Sequence, residues 1–270
     1  MKEEKKICSI TNKGGITLFL TPITEKIARN VENVIFNIHY LTKYPNDIKR
    51  CFYAKRVILD SGIAPFFEKM KLKEYPKEYL ENYYFYAIKI ARKIKEKNPE
   101  CIIWVVIPDY PADVPDNPIE NNVERTIENW LRFKDINTKD IFTWMPSLQA
   151  KKLDIESFLY SIKKFKEIFG ENYPVAGIGS ICKWKDVKLI EKYCRIAREN
   201  LPNTWLHGFG PTVKALKYIW RYINSFDSIT ITYHLKNSKG AEDVWNKYMK
   251  KFYILNNFGL LLNYSKNKNT

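Results

Sequence analysis

The chain has 270 residues with 45 Lys+Arg against 30 Asp+Glu, a formal charge of +15, and is 45% hydrophobic and 28% charged. That balance excludes disordered and low-complexity classes. No run approaches the roughly 20 apolar residues of a membrane helix, and the opening MKEEKKICSI has no apolar leader region, which points to the cytoplasm and to no membrane partner. The surplus of positive charge suits a polyanion such as nucleic acid, although a solvated lysine-rich surface gives the same total.

Short apolar, β-branched or aromatic runs bounded by Gly, Pro, Asn or Asp predict strands. In chain order they are Gly15–Leu20, Asn33–Ile38, Arg56–Leu59, Cys101–Ile107, Ile141–Met145, Pro174–Ile178, Thr204–His207 and Ser228–Thr232. Apolar residues repeating at three and four predict helices over Tyr79–Lys95, Asn121–Phe133, Ile155–Phe169, Lys185–Arg198 and Thr212–Ile223. Asp154 stands where an N-cap belongs, and Pro211 opens a helix after Gly210. Continuous hydrophobic strands alternating with helices imply a parallel α/β sheet covered on both faces. Eight strands in this length predict a single (β/α)8 TIM-like barrel over 1–265 with a frayed tail over 266–270, and a doubly wound open sheet is the alternative. Regularity is weakest at the short connection around Ile23–Asn30.

The five cysteines, Cys8, Cys51, Cys101, Cys182 and Cys194, are scattered, the nearest two twelve residues apart. They form neither a CxxC zinc pair nor a disulfide framework, so no zinc site is expected. The three histidines, His39, His207 and His234, are far apart and suit structural or hydrogen-bonding roles.

In a barrel, chemistry gathers at the C-terminal strand ends. Those ends read Asp60-Ser61-Gly62, Pro108-Asp109, Ser147-Leu148-Gln149-Ala150, Gly177-Ile178-Gly179-Ser180 and Gly208-Phe209-Gly210, and the last strand begins beside Phe226-Asp227-Ser228. An Asp after a strand is often only the cap of the next helix, and each glycine turn is weak as an isolated string. Together they predict three carboxylates, an amide and three glycine-rich turns at one mouth. Converging carboxylates suit glycosidic-bond chemistry, one attacking the anomeric carbon and another moving protons. An amide and glycine backbone N–H groups suit recognition of a flat base edge, and small residues let the backbone approach a ring closely.

In this order the motifs resemble the queuine and archaeosine tRNA-guanine transglycosylases, above all their compact DpdA-type relatives that insert 7-deazaguanines into DNA. The resemblance runs over roughly residues 15–235. It is carried by Asn37-Ile38-His39-Tyr40-Leu41, Ile58-Leu59-Asp60-Ser61-Gly62, Ile107-Pro108-Asp109, Ser147-Leu148-Gln149-Ala150, Ala176-Gly177-Ile178-Gly179-Ser180, Leu206-His207-Gly208-Phe209-Gly210 and Ser225-Phe226-Asp227-Ser228. The resemblance implies a barrel that replaces guanine with a 7-deazaguanine such as preQ0. It makes Asp227 the nucleophile and Asp60 the general acid/base. Asp109 and Gln149 would bind the base edge, with Ser61, Gly177, Gly179 and Gly208 completing the substrate site, and no cofactor is needed.

The zinc module of the tRNA enzymes has no counterpart here, because no cysteine follows Asp227 and the segment after it reads Thr230-Ile231-Thr232-Tyr233-His234. DNA is therefore the expected partner, with a free 7-deazaguanine base and with accessory proteins allowed. A tRNA enzyme with a degenerate zinc module, a catalytically inactive nucleic-acid-binding barrel, and a metal-independent glycosidase are the competing readings. Tyr110, Phe209 and Tyr233 are candidates to stack on a flipped base, or else they pack the interior. Phosphate contacts are expected from Lys183-Trp184-Lys185, Lys214–Arg221 and Lys236–Lys239, or these are solvated faces.

Overall fold

The computed structural model describes residues 16–227 except 23, 30, 64, 65, 68, 69, 71, 112–120, 152 and 183. The expected strand Ser228–Thr232, Tyr233, His234, Lys236–Lys239 and the tail 266–270 lie outside the described residues, as do Gly15 and Lys183.

Among the described residues, nine strands form two wholly parallel sheets. The strands β1 (Thr17–Phe19), β9 (Ser225–Asp227), β8 (Trp205–Gly208), β7 (Val175–Ile178) and β6 (Ser147–Leu148) lie side by side in that order. The other sheet runs β2 (Asn33–Asn37), β3 (Arg56–Asp60), β4 (Ile102–Val106), β5 (Thr143–Met145). Two local features join the sheets. A parallel bridge links Leu20 to Val34, with Leu20 N–H donating to Asn33 O at 3.1 Å and Ile35 N–H to Leu20 O at 3.0 Å. Pro146 alone separates β5 from β6. Lacking an N–H, proline interrupts the ladder; the strand expected over Ile141–Met145 is β5, Thr143–Met145, and beyond Pro146 the short strand β6 follows in the other sheet.

Between the strands lie helices α1 (Glu25–Ala28), α2 (Ile38–Lys43), α3 (Lys77–Lys97), α4 (Asn122–Phe133), α5 (Ile155–Phe169), α6 (Val187–Asn200) and α7 (Val213–Ile219). Asp154 caps α5 through Ser157 N–H as the sequence suggests, and Asp186 caps α6 in the same way. The expected strand end at Ile38 is instead the first residue of α2, because Asn37 turns the chain and caps Tyr40 N–H.

Alternation along the strands separates two cores. Val57, Leu59, Ile103, Val105, Leu206 and Phe226 pack with the helices. Their neighbours Ile58, Trp104 and Val106 join Phe19, Ile35, Met145 and Val175 in a second core drawn from both sheets, against which Trp205 and Phe209 pack. Phe19 and Trp104, from different sheets, stand 6.0 Å apart, and Trp104 and Trp205 5.5 Å. Residues two apart share a face, so Asp60 lies on the face of Ile58, and His207 and Phe209 on that of Trp205. No helix among the described residues is long and apolar enough to cross a membrane.

Candidate active site

Because every strand pair is parallel, the C-terminal ends gather along one edge of each sheet. Helix α3 stiffens that edge. Its residues Tyr79 and Tyr83, one turn apart, donate through their hydroxyls to Ser61 O at 3.0 Å and Val106 O at 2.5 Å. Tyr75 donates to Asp109 O at 3.1 Å. Three buried phenols thus hold the ends of β3 and β4 at the point where the site residues emerge.

Asp109 is 6% exposed, and its carboxylate accepts Ser61 Oγ on Oδ1 at 2.9 Å and Gln149 Nε2 on Oδ2 at 2.6 Å. Burial pushes its pKa up, against the hydrogen bonds from Ser61, Ser147 and Gln149 that favour the charge. Gln149 is wholly buried. It also donates to Ser147 Oγ at 3.2 Å, and its Oε1 accepts Ser180 Oγ at 2.8 Å. The network assigns the orientation of its amide, with both N–H directions taken. The structure therefore brings Asp109, Gln149 and Ser61 together as mutual partners.

Gly179 serves this network by close approach. A methyl group there would overlap the Gln149 amide and approach Ser147 Oγ. Its own N–H donates to Leu148 O at 2.9 Å, and that of Gly177 to Pro146 O at 2.8 Å, so neither N–H is available to a base. Gly177 instead leaves room for the Phe209 ring, and Gly208 faces Ile223 and Ile181. Gly179→Ala is expected to cost about 1–3 kcal/mol through overpacking, read by denaturant unfolding; an unchanged midpoint would mean that the Gln149 amide moves aside freely.

Asp60 ends β3 and is partly exposed. Its pKa is pushed up to about 7, first by burial and then by the carboxylates of Asp109 and Asp227, while the backbone N–H groups of Gly62 and Ser61 pull the other way. Gly62 makes this turn at φ +81°, where any side chain would also strike Asn37. Asp60 thus stands within electrostatic reach of both other aspartates.

Asp227, the last described residue, lies on β9, and its side chain is 14% exposed. The sequence suggests a final strand from Ser228 with Asp227 before it; strand structure is already present at Ser225–Asp227, and the expected Ser228–Thr232 lies outside the described residues. It accepts Gly210 N–H at 2.8 Å and meets His207 Nε2 at 3.3 Å, both on Oδ1. His207, fully buried, also lies 2.9 Å from Ser225 Oγ through Nδ1. The sequence left His207 as one of three isolated histidines. The signal that finds it is positional: Trp205 and His207 on β8 alternate as Ser225 and Asp227 do on β9, and His207 is in register with Ser225.

Of the candidate stacking residues, Tyr110 is buried beneath Arg125, whose guanidinium lies 3.7 Å from its ring centroid. Phe209 is partly exposed and stands edge-on to His207 at 4.7 Å. Trp184 packs inside, whereas Lys185, Lys214, Lys217 and Arg221 are exposed. Among the described residues no group of three or more His, Cys, Asp or Glu side chains is arranged to hold a metal ion.

No family profile matches the chain, and no curated protein matches it. Among solved structures it is similar to the carboxyl transferase domain of Rhizobium etli pyruvate carboxylase with oxalate, at 9% identity and a TM-score of 0.39, covering 95% of this chain and 49% of that one. The same domain with pyruvate gives 10% identity and a TM-score of 0.39, covering 93% and 48%. The chain spans about half the length of these structures, and at that distance neither residues nor reaction carry over.

Proposed function

We propose that the protein is a base-exchange glycosyltransferase that replaces guanine in DNA with a 7-deazaguanine of the preQ0 kind. The observation that carries this reading is the gathering of Asp60, Asp109 and Asp227, with Asp60 held up to about 7 by burial and by the other two carboxylates. Paired carboxylates with unequal proton affinity divide acid and nucleophile roles in glycosidic-bond chemistry. The motif resemblance to the guanine transglycosylases is what names the base.

In the proposed reaction the Asp227 carboxylate attacks C1′ of the flipped nucleotide. The C1′–N9 bond breaks, Asp60 delivers its proton to the departing guanine, and a covalent glycosyl ester remains. The incoming 7-deazaguanine then loses its N9 proton to Asp60 and attacks C1′, and the ester bond pair returns to Asp227. Two displacements retain configuration. Asp109 recognises the base edge, while Ser61 and Gln149 hold its carboxylate in plane. Phe209, partly exposed beside His207, would stack on the flipped base.

We also infer that the sheets close into one (β/α)8 barrel. The Leu20–Val34 bridge and the single residue between β5 and β6 support it, as does a second core drawn from both sheets. A polynucleotide partner is supported by exposed Lys185 and Lys214, which precede or open α6 and α7 on the edge where the strands end.

Incubation with radiolabelled guanine and either duplex DNA or tRNA tests the function. Label is expected in DNA, with incorporation falling steeply as salt rises. Label in tRNA alone would replace the DNA reading by the tRNA one. Salt-sensitive binding with no label in either would leave an inactive binding barrel.

A further inference from the structure

The hydrogen-bond pattern behind Asp227 reaches beyond its own carboxylate. Trp205 Nε1–H donates to Ser225 Oγ at 2.8 Å. An indole nitrogen can only donate, so the Ser225 oxygen accepts there and keeps its own hydrogen for another partner. His207 Nδ1 lies 2.9 Å from the same oxygen. If Ser225 O–H donates to Nδ1, the neutral imidazole carries its hydrogen on Nε2, which points at Asp227 Oδ1 at 3.3 Å. The opposite tautomer would set a bare Nε2 lone pair against a carboxylate oxygen. Ser225 and His207 are both completely buried, so no water competes for these directions. Phe19 holds the imidazole edge-on at 5.4 Å and Phe209 at 4.7 Å. Trp205 in turn packs on Trp104 and meets the Arg56 guanidinium, the latter 5.2 Å from its ring centroid.

We propose that His207 is a positioning residue for Asp227, its Nε2–H tautomer set by the chain Trp205–Ser225–His207. With Gly210 N–H it holds Oδ1, and among the described residues no hydrogen bond falls on Oδ2, which becomes the attacking oxygen. The kinetic consequence rests on the base-exchange reading; the tautomer does not. In that reaction Oδ2 bonds to C1′, and Oδ1 becomes the ester carbonyl. When the incoming base displaces the ester, the Oδ2–C1′ bond breaks, the N9–C1′ bond forms, and the electron pair returns to the carboxylate. His207 keeps its proton throughout. A donor on Oδ1 stabilises the carboxylate more than the ester, because hydrogen bonds to charged groups are about twice as strong. Removing it therefore favours the ester. A group that only packed the interior would have no such effect.

The test has two arms. In protein with ¹⁵N-labelled histidine, the His207 ring nitrogens are expected to report Nε2–H with Nδ1 unprotonated, and Ser225→Ala is expected to disturb that pattern. An Nδ1–H or doubly protonated ring would overturn the proposal. In the kinetic arm, His207→Met, similar in bulk but without a donor, is expected to slow exchange about 10–100-fold with the KM for guanine little changed. The fraction of enzyme trapped as the nucleic-acid adduct should rise about tenfold. His207→Gln, which keeps a donor, should recover most of the rate, and thermal unfolding checks that both variants are folded. Adduct falling in step with activity, or no rescue by Gln in a folded variant, would overturn the positioning role. A wild-type protein that exchanges no base on any nucleic acid would instead sink the base-exchange reading, and the NMR arm then decides the His207 assignment by itself.

Discussion

Asp227→Ala is expected to abolish base exchange, with a loss of about 10⁴-fold or more, and to leave no protein–nucleic acid adduct after denaturation. The reason is chemical rather than structural. Removing the carboxylate removes the atom that holds C1′ between the two displacements, and no other described carboxylate has the same setting. Asp109 is tied to Ser61 and Gln149, and Asp60 carries a raised proton affinity that makes it a poor nucleophile near neutral pH. The fold should tolerate the change. Among the described residues, its loss leaves Gly210 N–H and His207 Nε2 without their acceptor, at about 1–3 kcal/mol. The measurement is a denaturing gel of labelled nucleic acid with wild type and variant, beside a melting curve for each. A folded Asp227→Ala that still forms an adduct would remove Asp227 from the nucleophile role.

Asp60→Asn should move activity and stability in opposite directions. A carboxyl whose pKa rises from 3.8 to about 7 on folding prefers its neutral form in the folded protein. Its contribution to stability is fully present below pH 3.8, declines as the pH rises, and is lost once the pH passes about 7. The Asn variant is always neutral. It should match wild type near pH 4 and be more stable at pH 8 by about 2 kcal/mol, allowing for water at the partly exposed carboxyl. Exchange should fall about 10²–10⁴-fold, the usual worth of a positioned proton donor. In wild type, adduct formation needs protonated Asp60 and should decline above pH 7, while discharge by the incoming base should improve. Denaturant melts at pH 5 and 8 and single-turnover rates across that range check both. A variant no more stable at pH 8 would mean that solvent relieves the charge on Asp60.

The helices and most strands are legible in the chain because burial leaves a periodic trace. Ile155–Phe169 is found to the residue, since Asp154 caps it and Gly170 ends it. Legibility fails where one atom overrides pattern. Beyond Pro146 the residues Ser147–Leu148, read as a strand-end turn, form a short strand of the other sheet, and Asn37 turns the end of β2 into a helix start. At the site, Asp60, Asp109, Gln149 and Asp227 stand out as polar residues that interrupt strand ends. Gln149, however, reads as a free recognition group, whereas it is wholly buried with both N–H directions taken by Asp109 and Ser147. The glycine N–H groups expected to face a base belong to the sheet.

What the sequence determined by itself is therefore composition, alternation and the polar interruptions: a parallel α/β chain with a positive surface and acids at its strand ends. Those follow from which residues water rejects and which the backbone turns require, and both are local properties. The tertiary structure alone decided which acids share a field, which amide is occupied, and that His207 stands behind Asp227. Proton affinity depends on distance and on excluded water, and tautomer on the partner of the other ring nitrogen. Asp60 and Asp227 are 167 residues apart in the chain, and only the pairing of distant strands brings their charges within reach of one another.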